Sequence, residues 1–191
     1  MYEPFISKEE FRFSSVILPV IQNGEEPSIL FEVRQRHLSQ PGEICFPGGR
    51  MENNESPLEC AVRETMEELL VRQEQIQEMK PLGILFTPAG LGIYAYAARL
   101  EGYQYSFSSH EVSEVFTAPL SHFLANAPQQ YMAKVQVVPQ ENFPYHLIPG
   151  GSSYQWRTWS YPVLFYQYQN RVIWGLTAKI LREYIHIIRE M

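Results

Sequence analysis

Glu64, Glu67 and Glu68 fall within five positions of "RETMEELL", residues 63–70. On a helix, positions i, i+3 and i+4 share a face, so three carboxylates would stand side by side with no lysine among them. Two readings fit that pattern. One is a solvated acidic face. A like-charged i,i+4 pair costs only about 0.2–0.5 kcal/mol on an exposed helix, so energy does not exclude it. The other is a site for a divalent cation. Mg²⁺ takes oxygen ligands and is commonly held by a few carboxylates together with substrate phosphates. Such an ion can polarise a phosphoryl oxygen and activate water. Arg63 has Glu59 and Glu67 four residues to either side and can pair with either one.

These carboxylates share a face only if a helix fixes their register, and "NNESPLECAVRETMEELLV" supplies one. Ser56 is a good N-cap, Pro57 suits the first helical position and Glu59 completes a capping box. The pattern predicts a helix over 57–71. At about 100° per residue, Leu58, Val62, Thr65, Met66 and Leu69 share a side, read as the core stripe, and the three glutamates lie opposite. Just upstream, "EICF" (43–46) reads as a short strand entering a loop at "PGG" (47–49).

Further strands are predicted at 13–21 and 28–36, joined by a turn in "NGEEP", and at 82–87, 92–100, 114–118, 131–138, 161–168 and 171–175. A short helix falls on "LSHFLAN". A closing helix falls on "LTAKILREYIHIIREM", where Leu176, Ile180, Leu181, Tyr184, Ile185 and Ile188 keep helical spacing. Helices on a mixed sheet give an α/β fold of the mixed α+β kind. No repeat, linker or low-complexity stretch divides the chain, so residues 1–191 are read as a single domain.

Composition narrows the chemistry. The chain has 191 residues, 45% hydrophobic and 19% charged, with net charge −6. A protein that grips nucleic acid through phosphates needs a basic face, so no nucleic-acid partner is expected. A small anionic substrate stays possible, because a bound cation inverts the local field. No apolar run approaches the ~18 residues of a membrane span, and "MYEPFISKEEFRF" lacks a leader pattern. Cys45 and Cys60 have no metal-type spacing and read as inert reduced thiols, hence a cytoplasmic setting.

The spacing beyond the helix is specific. Gly49, five residues, Glu55, seven residues, Arg63-Glu64, two residues, then Glu67-Glu68 resembles the signature of the Nudix hydrolases, G-x5-E-x7-R-E-U-x-E-E-x-G-U, where U is bulky and apolar. Thr65 stands at the first U. Leu70 stands at the glycine that ends the helix, so a longer or differently shaped helix exit is expected. The resemblance implies an α/β/α sandwich, hydrolysis of diphosphate linkages and Mg²⁺ or Mn²⁺ as cofactor. It implies that Glu64, Glu67 and Glu68 hold metal, that the Gly49 carbonyl can add a ligand, that Glu55 supports the loop–helix geometry, and that Arg63 belongs with the catalytic residues. Glu111, in "SSHEVSEVF", is the candidate base, with Glu64 as rival.

The segment "ILFEVRQRHLSQPGEICFPGG" is similar to one carried by the coenzyme A diphosphatase branch, L-L-T-x-R-[SA]-x3-R-x3-G-x3-F-P-G-G. Arg34, Gly42 and Phe46 to Gly49 align. Downstream, "HEVSEVFTAPLSHFL" and "VIWGLTAKIL" resemble the same branch. Gln35 replaces the small residue, Ser39 stands at the second arginine, and the spacing to Gly42 is one residue short. Arg36 is the candidate replacement for that arginine. The implied substrate is coenzyme A or a derivative, contacted by Arg34, Arg36 and Phe46. The alternatives are another nucleotide, such as ADP-ribose, NADH or a dinucleoside polyphosphate, or a Nudix-like nucleotide sensor without catalysis.

Other candidates carry less. Arg34 and Arg36 could clamp phosphate or be exposed strand-end residues. His110 could do acid–base work or be structural. "PGGSS" (149–153) lacks the lysine of a phosphate loop and reads as a turn. The closing helix could face the core or a second copy in a homodimer.

Overall fold

The computed structural model describes residues 10–24 and 26–190. Residues 1–9 of the segment read for a leader, Glu25 of the first turn, and Met191 lie outside that range.

The centre of the fold is a run too apolar to face water on either side. β2 (Glu26–Arg34) carries Ile29, Leu30 and Phe31 with no exposed surface, as a strand covered on both faces should. It pairs antiparallel with β1 (Arg12–Asn23) through the expected hairpin, Val20 opposite Ile29. β3 (Ile44–Cys45) and β7 (Val112–Pro119) also pair with β2, putting Cys45 opposite Glu32 and Phe116 opposite Phe31. β4 (Gly48–Arg50) pairs antiparallel with β1. β6 (Leu91–Leu100) runs parallel to β1, and β5 (Ile76–Phe86) antiparallel to β6. The sheet is therefore mixed. Of the loop expected at 47–49, Gly48 and Gly49 instead belong to a strand.

One face of this sheet is covered by α1 (Pro57–Leu69), where Ala61 and Leu69 pack with Ile17, Ile21, Leu30 and Leu100. The other face, built on Leu18, Ile29, Phe31, Phe46 and Ile93, lies under α2 (Leu120–Ala125) and α3 (Gly175–Glu190). Phe31 stacks between Phe46 and Phe116, each ring centroid 5.2 Å away. The strands expected near 131–138, 161–168 and 171–175 do not join the main sheet. β8 (Gln129–Gln136), β9 (Thr158–Tyr168) and β10 (Arg171–Trp174) form their own antiparallel sheet, and Leu164, Tyr166 and Ile173 bury into the second layer beside α3.

Two expectations about α1 need correction. The buried side is Cys60, Ala61, Thr65, Glu68 and Leu69, whereas Leu58 is 43% exposed. The helix is rotated towards its small residues, which allow close approach to β1 and β4. A wheel weighted by hydrophobicity overrates Leu58 and Met66. The inward polar groups have partners: the Thr65 hydroxyl donates to the Ala61 carbonyl at 2.7 Å, and Glu68 accepts from Gly48. Glu68 is thus not on the solvent side.

The helix also ends at Leu69 rather than running on. Leu70 takes the left-handed conformation, φ 53° and ψ 43°, which glycine occupies at helix ends at no steric cost. The exit thus keeps the shape a glycine would give it. A non-glycine residue there costs about 1 kcal/mol, and the Leu70 side chain is 58% exposed. Leu70→Gly should therefore raise unfolding stability by about 1 kcal/mol in urea denaturation.

Candidate active site

The site forms where β4 meets α1. The capping box that starts α1 is complete: Ser56 accepts from the Glu59 amide at 3.2 Å, and Glu59 accepts from the Ser56 amide at 2.9 Å. With that register set, Glu64 and Glu68 point at the "PGG" strand. The Gly48 amide donates to Glu68 Oε2 at 2.7 Å. Gly49 lies so close to Glu64 that a Cβ on it would collide with the carboxylate. The Gly49 carbonyl accepts from the Cys60 thiol at 3.6 Å.

Arg63 ties the acidic residues together. Its Nε and Nη2 donate to the two oxygens of Glu55 at 2.7 and 3.1 Å, and Nη1 donates to Glu64 Oε1 at 2.9 Å and Glu67 Oε2 at 3.3 Å. Glu59, the other candidate partner, is taken by the cap. Glu55 also accepts from the Glu52 amide at 3.0 Å. Those bonds, the Arg63 one foremost, hold its carboxyl down at about 2. Glu55 thus fixes Arg63, and through it Glu64 and Glu67.

The loop after β6 is fastened to the end of α1. The Ser108 amide donates to the Glu68 carbonyl at 2.7 Å, and the Ser106 hydroxyl donates to the Leu69 carbonyl at 2.9 Å. These bonds satisfy orphan carbonyls of the helix and bring in Glu111, whose charge acts on Glu32, Glu64 and Glu68.

Glu32 was not foreseen. It sits on β2 at 1% exposure, facing Glu68, and its Oε1 has no hydrogen-bond partner. The sequence signal was present, a carboxylate inside the otherwise apolar "SILFEV", but β-strand alternation alone reads it as an exposed position. Burial, and next the Glu68 charge, push its carboxyl well above the usual range. Burial likewise raises Glu64, and lifts Glu68 to about 8 despite the Gly48 hydrogen bond.

That shift has a sign. A carboxyl raised on folding contributes most stability below its ordinary value near 4.5 and loses it as pH climbs to about 8. In metal-free buffer the melting temperature should therefore fall between about pH 5 and pH 8. Added Mn²⁺ should raise it more at pH 8 than at pH 5, because a cation competes with the protons. Thermal melts at both pH values, with and without Mn²⁺, measure this.

Beside Gly48 and Gly49 opens a cavity of about 420 Å³, lined also by Arg34, Phe46, Tyr161 and Trp174. Arg34 faces it, and the Arg34 charge also reaches Glu32 and Glu68. Arg36 is exposed and is not among its walls. Phe46 is 4% exposed and stacked on Phe31, so it is a core residue that presents only part of its surface to the cavity. His110 is exposed, its ring 5.2 Å from that of His37. Cys60 is fully buried, and burial pushes its thiol up to about 12; burial also raises the half-buried Cys45. Neither thiol is activated.

The donors suit a hard divalent cation: several carboxylates, a buried carboxylate oxygen lacking a partner, and a glycine that leaves room beside Glu64. Among the described residues, no three such side chains are already drawn together at ligand distance. Glu64 and Glu67 are bridged by the Arg63 guanidinium instead. No helix of the described residues is long and apolar enough to cross a membrane.

Comparison with known proteins places this arrangement. The NUDIX domain matches residues 12–151. Nudix hydrolase 3 of Caenorhabditis elegans is 27% identical over 180 residues, covering 91% of this chain and 72% of the relative. The peroxisomal coenzyme A diphosphatase NUDT7 of Mus musculus is 32% identical over 123 residues, 63% of this chain and 51% of the relative. Among solved structures, a MutT/nudix family protein from Enterococcus faecalis superposes with a TM-score of 0.55 at 14% identity, over 99% of this chain and 66% of the other.

Proposed function

The chain belongs to the Nudix family and is a hydrolase of diphosphate linkages, and on that premise we propose that its substrate is coenzyme A or a derivative. The products are 3′,5′-ADP and 4′-phosphopantetheine, or its acyl form. The observation that carries this reading is the position of Arg34. It lines the cavity beside Gly48 and Gly49 and also lies within electrostatic reach of Glu68. One opening therefore offers a guanidinium to a phosphate oxygen next to the acidic face. The similarity to a coenzyme A diphosphatase, and the "FPGG" segment, support the coenzyme A assignment over other nucleotides.

On this reading Glu64, Glu67 and Glu68 hold Mg²⁺ or Mn²⁺, with the Gly49 carbonyl as a further donor. The ion supplies neutralisation of diphosphate charge and polarisation of the phosphoryl group. Arg34 orients the diphosphate from the cavity. Glu111 accepts the proton of the attacking water, with Glu64 the rival for that role. The water oxygen joins one phosphorus in line, and the bridging oxygen leaves on the other phosphate with the electron pair. Arg63 and Glu55 hold the carboxylates in place without touching substrate. The cavity is of a size that takes part of a nucleotide, and the aromatic residues Tyr161 and Trp174 are among its lining. A cytoplasmic site of action remains part of the proposal.

Arg36 favours a second reading. Among the described residues, Arg34 is the only arginine lining the cavity, and ADP-ribose or another nucleoside diphosphate derivative becomes the competing substrate. A turnover panel separates them. With Mn²⁺, coenzyme A should be consumed with a kcat/KM above those of acetyl-coenzyme A, ADP-ribose and NADH, or acetyl-coenzyme A should lead. Preference for ADP-ribose overturns the coenzyme A assignment and leaves the family chemistry standing. Nucleotide binding with no turnover of any of the four points to the sensor reading.

A further inference from the structure

Glu32 has no role in the scheme above. It follows Leu30 on the same face of β2, and Leu30 packs against Ala61 and Leu69 of α1. Its neighbour across the strand pair is Cys45, and its carboxylate meets Glu68. It is 1% exposed, and its Oε1 is buried with no hydrogen-bond partner. Leaving such an oxygen unpaired carries a desolvation cost, which an apolar side chain of similar volume would avoid. The position also departs from the branch segment, which carries threonine where this chain has Glu32. A buried carboxylate with an unpartnered oxygen, on the central strand and against a residue of the acidic face, lacks a structural explanation but suits a cation site.

We propose that Glu32 is a positioning residue for the divalent cation: its contact with Glu68 fixes how that carboxylate is presented. The cation site thus extends through the sheet side of Glu68, beyond the helix face of Glu64 and Glu67. This rests on the metal site of the proposed function.

The test is Mn²⁺ binding to metal-stripped protein, followed by calorimetry without substrate, for wild type, Glu32→Gln and Glu32→Thr. Glutamine keeps the volume and can still donate to Glu68. Threonine is smaller and restores the residue of the branch segment. The Thr variant, which loses the contact with Glu68, should weaken Mn²⁺ binding about 10–100-fold, as loss of an outer partner of a metal ligand does, and the Gln variant should fall between it and wild type. Melting in EDTA should show the Gln variant as stable as wild type or more so. A purely structural Glu32 predicts the reverse, altered melting with unchanged affinity. Mn²⁺ affinity within about twofold of wild type in both folded variants overturns the proposal. If wild type itself fails to bind Mn²⁺, the metal site of the proposed function falls as well; if wild type binds and the variants match it, only the role of Glu32 falls.

Discussion

Glu67→Gln is expected to fold like the wild-type protein and to turn over substrate about 10³-fold more slowly, since a cation contributes several kcal/mol of transition-state stabilisation and each 1.4 kcal/mol is tenfold. The two halves of that expectation have separate origins. The Glu67 side chain is 56% exposed and its ion pair, to Arg63, is 3.3 Å long. Exposed pairs of that kind contribute about 0–1 kcal/mol to stability. A large loss of activity with an unchanged melt therefore has no structural route and must come from the chemistry. Glu68→Gln should lose activity similarly. Its amide oxygen can still accept from the Gly48 amide, and removing a buried charge beside Glu32 leaves the metal-free fold as stable or slightly more so. Full activity in both variants would remove the metal assignment.

The adjacent glycines should fail in opposite ways. Gly48 has φ 151° and sits opposite Val16 in the β1–β4 ladder. A Cβ there would collide with the Ser15 carbonyl and with Val16, both fixed in β1. Gly48→Ala should destabilise by about 3 kcal/mol or more, from the backbone conformation and the clash together. At Gly49 the obstacle is the end of the Glu64 side chain, which can rotate away. Gly49→Ala should cost about 1 kcal/mol or less in stability while lowering kcat, because Glu64 is displaced. Urea denaturation and initial rates on the purified variants separate the two. Equal loss of stability in both would show that Glu64 is less free to move than its contacts imply.

The helix start was legible in the sequence, because Ser56, Pro57 and Glu59 act locally and cap it as expected. The glutamate spacing was legible for the same reason. The face Glu68 turns to was not. That depends on Gly48, twenty residues away, donating a hydrogen bond that makes an inward carboxylate tolerable. Glu32 is not legible in the sequence because its partner, Glu68, lies on a different element, and its burial comes from packing between elements distant in the chain. Arg34 and Arg36 look alike in the sequence; the cavity formed with β9, β10 and α3 separates them. Leu70 departs from the family pattern in sequence, yet the chain holds it in the conformation the pattern's glycine would adopt.

The most direct test of the central claim is to follow coenzyme A hydrolysis in ¹⁸O-labelled water by mass spectrometry, with Mn²⁺ and with EDTA. The account predicts 3′,5′-ADP and 4′-phosphopantetheine in equal amounts, one of the two new phosphate ends carrying a single ¹⁸O, and no cleavage in EDTA. Release of inorganic phosphate with an intact diphosphate, or cleavage that persists unchanged in EDTA, would contradict it.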